Sequence, residues 1–308
     1  METIAIPFLL FVGTLLALQA GANVQLSRAL GSPFGASTLQ LSIAAGLLLM
    51  AAAAVGTLGA FDLLGRADGW HLSGGIGSAI YITAGILLFP RLGAVVSVGL
   101  FVAGQMGASL LLDGLGWLGV AQDDLGAAAA LGALAVLAGT WLIVRSQAGS
   151  ALEDAMRSRA GWVSLGLVAG AILPIQGAIN AQLRSDLDAP ITVGAFSFVV
   201  ATLSMGIVLI AYTALTDAPR PRGSGVTTVP WWGWLGGLCG AIYVVSVFAF
   251  IPEVGVASTV ALTVAGQQMA SLLVDRYGLL CLPRRPITGP RLLGVALLLS
   301  GVALIQLM

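Results

Sequence analysis

Ten apolar runs divide the chain, at residues 6–28, 35–58, 72–89, 94–112, 126–145, 161–183, 191–214, 231–250, 255–274 and 291–307. Each approaches the roughly 20 apolar residues that an α-helix needs to cross hydrocarbon. The breaks carry ordinary turn chemistry: Gly31-Ser32-Pro33, Asp62 to Gly69, Pro90-Arg91-Leu92-Gly93, Asp186 to Pro190, Asp217 to Pro230 and Pro283 to Pro290. The pattern predicts an all-α polytopic membrane protein of ten transmembrane helices. The third, fourth and tenth runs are short, which leaves partial or tilted spans open there. The first run is read as a retained helix, because Glu2 stands where a signal peptide carries positive charge and no clean small-residue cleavage site follows.

Composition agrees with a bilayer and excludes other classes. Only 13 basic and 13 acidic residues occur in 308, or 8%, against roughly 25% in a soluble domain. Hydrophobic residues make up 58% and mean hydropathy is +1.01. Every basic residue is Arg and net charge is zero, so no basic surface exists to neutralise a run of phosphates, and nucleic acid is not an expected partner. With ten crossings, Arg28, Arg91, Arg145, Arg157, Arg159, Arg220, Arg222, Arg276, Arg284, Arg285 and Arg291 fall on one side and only Arg66 and Arg184 on the other. Cytoplasmic loops are the Arg-rich ones, so both termini are expected outside.

The chain also contains itself twice. LALQAGANVQLSRALGSP from Leu16 matches LPIQGAINAQLRSDLDAP from Leu173, pairing Gln19 with Gln176 and Asn23 with Asn180. Farther on, Gly74-Gly75 pairs with Gly236-Gly237, Tyr81 with Tyr243, Pro90 with Pro252, Gly93 with Gly255, Gly104-Gln105 with Gly266-Gln267 and Asp113 with Asp275. Residues 1–150 and 151–308 are therefore read as two five-helix repeats. Five is odd, so the second copy enters the membrane from the opposite side. The loop charges exchange accordingly, with Arg91 answered by Glu253 and Asp123-Asp124 by Arg284-Arg285. Inverted repeats are a common physical basis for alternating access around a site near the midplane.

The polar residues inside the spans give that site its candidates. Gln19 and Asn23 share a helix face, as do Gln176 and Asn180. Amides both donate and accept, so they either recognise a polar solute or bond helix to helix. Gln105 and Gln267, each beside a glycine, carry the same two readings. Tyr81 and Tyr243 are either cavity contacts or packed aromatics with bonded hydroxyls. Gln40, aligned with Ser197, is a weaker pair. Asp113 and Asp275 end the paired fourth helices on opposite membrane sides. They are either gate or coupling groups or solvated helix ends, and Asp275 has Arg276 beside it as a pairing partner. No charged residue stands at the predicted centre of a helix, which argues against a simple mid-membrane proton relay. His71, the sole histidine, sits beside Trp70 at a helix boundary and is expected at the interface. Cys239 and Cys281 fit no zinc or thioredoxin spacing and are read as bystanders. No catalytic constellation, phosphate loop or cofactor motif is present, so neither an enzyme nor a bound cofactor or metal is expected.

The paired Gln-x-x-x-Asn segments, the glycine pairs before the tyrosines, the Pro-x-x-Gly turns and the Gly-Gln segments ending at Asp resemble the YdcZ-like family of the drug/metabolite transporter superfamily. The resemblance extends over both halves, and the chain looks like a fused pair of single-unit members. It implies a multi-pass carrier of small molecules in the bacterial inner membrane. Compared with small multidrug members of that superfamily, the first helix lacks an embedded acidic residue, a departure that argues against cationic-drug/proton exchange. The expected mechanism is rocking of two halves around a cavity lined partly by helices 1, 4, 6 and 9. Its partners are a small solute and membrane lipid. Proton or sodium coupling stays open, and the duplication makes a monomer with an internal pseudo-dimer the expected state. A flippase for a small lipid or lipid-linked sugar and a non-transporting membrane assembly protein are the competing functions.

Overall fold

The computed structural model describes residues 2–122, 126–146, 152–216 and 220–306. Asp123, Asp124, Asp217 and the boundary between residues 150 and 151 lie outside them. Among the described residues the regular structure is helical, with ten α-helices: α1 Glu2–Leu30, α2 Pro33–Ala54, α3 Gly75–Leu92, α4 Ala94–Leu115, α5 Ala127–Arg145, α6 Leu152–Leu187, α7 Pro190–Leu215, α8 Leu235–Val254, α9 Val256–Tyr277 and α10 Gly289–Gln306. Eight segments are long and apolar enough to cross a membrane, and the apolar parts of α5 and α10 are shorter. The shortness expected of the third and fourth runs does not hold. A 3-10 lead-in extends α3 to a continuous segment over Gly69–Leu92, and α4 has 22 residues.

Boundaries depart from the apolar runs where backbone bonding, which is indifferent to polarity, continues past them. α6 begins at Leu152, well before its apolar stretch. α3 and α8 do not stop at Pro90 and Pro252. Each carries its proline in the last turn and ends at the next glycine, Gly93 or Gly255, at φ 85° and 82°. A proline near a helix end removes few bonds, whereas the left-handed backbone after it suits glycine. At the start of α2, Ser32 caps the helix by accepting the Gly35 N–H at 3.1 Å, with Pro33 at the first helical position.

The principal helix contacts map onto themselves when α1–α5 are exchanged with α6–α10. α4 against α6 answers α9 against α1, and α1 against α8 answers α6 against α3. The pairs α2–α7, α4–α9 and α5–α10 are their own counterparts. Glycines permit these approaches, since apolar burial drives helices together only weakly in lipid and close packing must do so instead. A Cβ on Gly13 would strike the carbonyl of Thr263 and one on Gly170 that of Phe101, while Gly104 lies against Leu167 and Gly266 against Leu10. These are equivalent positions on the α1–α9 and α4–α6 contacts. The inner faces hold Phe89, Phe101, Phe198 and Phe248, all essentially inaccessible. The outer faces are apolar too: Leu134, Leu203 and Ile210 are 62%, 62% and 69% exposed, as a surface that meets acyl chains requires.

Candidate functional site

A small cavity of about 10 Å³, room for about one water molecule, lies where α1, α3, α6, α7 and α8 converge. Its walls come in equivalent pairs: Leu16 and Leu173, Tyr81 and Tyr243, Ile82 and Val244, Ser78 and Gly240. Gln19 and Phe198 complete it. No wall residue is charged.

Behind the wall stand two amide arrangements. In one, Asn23 Nδ2 donates to Gln40 Oε1 at 2.8 Å and Gln40 Nε2 donates to the Gly236 carbonyl at 3.0 Å, tying α1, α2 and α8 together. In the other, Asn180 Nδ2 donates to Ser197 Oγ at 3.1 Å, joining α6 to α7. The remaining oxygens, Asn23 Oδ1 and Asn180 Oδ1, are buried without a hydrogen-bond partner and face Gly236 and Gly74, against the point where a Cβ would stand. Glycine Cα–H groups are the weak donors available there. Gln176 Nε2 donates to Ser78 Oγ at 2.7 Å. Gln19, its counterpart, is 3% exposed, lines the cavity and makes no hydrogen bond to a described residue. Gly240 stands opposite it, where the other half has Ser78.

A further layer connects through α4 and α9. Gln267 Nε2 donates to Tyr81 Oη at 2.7 Å, and Gln105 Nε2 lies 3.5 Å from Gln267 Oε1. Gln268 is fully buried with both amide atoms unpaired. Tyr81 also packs on Phe101 with centroids 4.8 Å apart.

Of the sequence candidates, Gln19, Tyr81 and Tyr243 line the cavity. Asn23, Asn180, Gln176, Gln105 and Gln267 sit one layer back; α9 meets the wall where Gln267 Nε2 donates to Tyr81 Oη, and α4 where Phe101 packs on Tyr81. Sequence reasoning passed over Ser78 and Gly240, which interrupt no apolar run.

Asp113 and Asp275 are not solvated ends. They are 7% and 1% exposed. Asp275 accepts the N–H groups of Ala94 and Val95 at 3.0 and 3.1 Å, and Asp113 accepts that of Ala257 at 2.8 Å. A carboxylate there satisfies orphan donors and meets the positive end of the helix dipole. Asp275 pairs with Arg291, not with Arg276. Arg291 is itself 2% exposed and stands where the first half has Ala129. His71, expected at the interface, is 7% exposed, with Nδ1 2.5 Å from Asp186 Oδ2 at the end of α6. Both cysteines are free thiols.

Comparison with known proteins places this geometry in context. The family described as "Putative inner membrane exporter, YdcZ" matches residues 4–142 and 161–304. "Inner membrane protein YdcZ" of Escherichia coli (strain K12) is 34% identical over 83 residues, which are 27% of this chain and 55% of that protein. The chain thus spans about half the length of the curated relative it matches. A solved structure titled "Crystal structure of protein" covers 97% of this chain and 96% of its own, at a TM-score of 0.61 and 17% identity, so the two share a fold.

Proposed function

This chain belongs to the YdcZ family, and on that premise we propose that it carries a small molecule across the inner membrane by alternating access. The single observation that carries the reading is the cavity itself: a small, polar-flecked space walled mostly by equivalent residues of the two halves, in a bundle whose outer surface is apolar. In this reading residues 1–150 and 151–308 are inverted five-helix repeats that cross the membrane ten times, with both termini outside. The exchange of helix contacts supports it, as does the family match to 4–142 and 161–304. Gln19, Tyr81 and Tyr243 contact the solute. Asn23, Asn180, Gln176, Gln105 and Gln267 hold the wall behind them. Asp113 and Asp275 secure the two ends of the α4–α9 pair and act as gates, released as one half rocks against the other. At about 10 Å³ the cavity has room for about one water, far below the roughly 300–1,000 Å³ of ligand pockets, so in this reading a solute is admitted only in a state in which the two halves have parted.

The test is flux in proteoliposomes, across a broad metabolite mixture with imposed proton and sodium gradients, for the wild type and a folded Gln19→Ala variant. Selective flux lost in the variant is the expected result. No flux from folded, oriented protein would turn the reading toward lipid flipping or membrane assembly.

A further inference from the structure

We propose that the central cavity selects an uncharged solute bearing a hydrogen-bond acceptor, read by the Ser78 and Tyr81 hydroxyls and by Gln19, and that Gly240 is what leaves Gln19 available for it. The proposal rests on the carrier reading and gives its substrate class.

Two features of the hydrogen bonding carry it. First, Ser78 Oγ and Tyr81 Oη each accept one amide N–H, from Gln176 and Gln267, and neither hydroxyl donates to a described residue. Each oxygen is thus engaged as an acceptor while its proton stays uncommitted, so both present donors to the cavity. Second, Gln19 and Gln176 are equivalent residues with different surroundings. Gln176 has Ser78. Gln19 has Gly240, where a Cβ would meet the Gln19 amide nitrogen, so no side chain there satisfies it. An unpaired amide that is 3% exposed and lines the cavity is a standing demand for a partner.

Charge sets the class. The walls are uncharged and the surrounding amides are neutral, so a charged solute entering from water loses its hydration without meeting a counter-ion, which is strongly unfavourable. A neutral carbonyl or ring-nitrogen compound with an apolar body meets two hydroxyl donors, one amide and the aliphatic walls. Transport of such a solute alone moves no charge.

Benzamide, benzoate and benzamidinium share a ring and a planar head and differ in charge, so they separate the possibilities. Binding is measured by calorimetry on the purified full chain in lipid nanodiscs. Benzamide is expected to bind saturably and at least about tenfold more tightly than either ion, the equivalent of one good pairing. Gly240→Ser, whose Cβ turns the flexible Gln19 amide aside and whose hydroxyl gives it the partner that Gln176 already has, is expected to weaken benzamide about tenfold with the elution volume unchanged. If that variant does not fold, Gln19→Leu tests the same contact. Equal or tighter binding of an ion, no saturable benzamide binding, or wild-type affinity in a folded variant would overturn the proposal. Benzamide binding of this pattern in a chain that moves nothing in liposomes would sink the carrier reading and leave the site standing. Carriage of ions by a chain without benzamide preference would do the reverse.

Discussion

Asp113 and Asp275 close opposite ends of one helix pair: each lies in the last turns of its own helix and binds the first backbone N–H groups of the other. Antiparallel neighbours of matched length place each carboxylate at the partner's start, so α4 and α9 are held at both ends. At the Asp275 end Arg291 reaches the carboxylate from α10, and the position equivalent to Arg291 is Ala129.

Neutralising Asp275 should therefore be severe. Asp275→Asn strands a buried guanidinium, and removal of one partner from a buried pair costs about 3–5 kcal/mol. Adding Arg291→Met to that variant should restore part of the loss. A double-mutant cycle by chemical denaturation in mixed micelles checks this, and strict additivity of the two changes would refute the coupling.

The amide arrangements should differ in weight. Ser197→Ala removes one bond, from Asn180 Nδ2, whereas Gln40→Ala removes two, from Asn23 Nδ2 and to the Gly236 carbonyl. Interhelical hydrogen bonds in membranes contribute about 0.6 kcal/mol on average and up to about 1.7. Gln40→Ala is expected to lower stability roughly twice as much as Ser197→Ala. Matched unfolding curves decide it, and equal losses would mean that the α2–α8 link contributes nothing.

Close helix approach gives a third prediction. Gly104→Ala and Gly266→Ala drive a Cβ into the backbone carbonyls of Leu167 and Leu10, which have no flexible end to yield. Overpacking of this kind costs about 1–3 kcal/mol or more. Gly107→Ala, with nothing within 4 Å, should be neutral or slightly stabilising. Thermal midpoints of the three variants are the measurement.

The Tyr81 hydroxyl is the meeting point of the wall and the layer behind it. Tyr81→Phe removes the acceptor for Gln267 Nε2 and one donor into the cavity. Flux should fall about tenfold, one good pairing's worth, with the fold intact. An unchanged rate with native stability would place Tyr81 outside the transport step.

The helical bundle and its internal echo were legible because hydropathy and repeated motifs survive along a chain. Gln19, Tyr81 and Tyr243 were legible as cavity residues because polar groups in apolar runs are conspicuous. Ser78 and Gly240 were not, since small residues leave hydropathy unchanged and acquire meaning only opposite a particular amide. Arg291 opens the tenth apolar run and was counted only among the arginines of the Arg-rich side. Its one signal was that the first half offers Ala129 at that position. Which face α4 and α9 turn inward depends on packing that periodicity in so uniformly apolar a segment does not encode.

The reciprocal grip between α4 and α9 makes their length a ruler. Both helices have 22 residues. One residue inserted in the middle of either would carry its aspartate about 1.5 Å along the axis and roughly a quarter of a turn around it, away from the partner's N–H groups. Substitutions can be absorbed along these two helices, but insertions and deletions cannot unless both change together, so the pair must drift in size as a single unit.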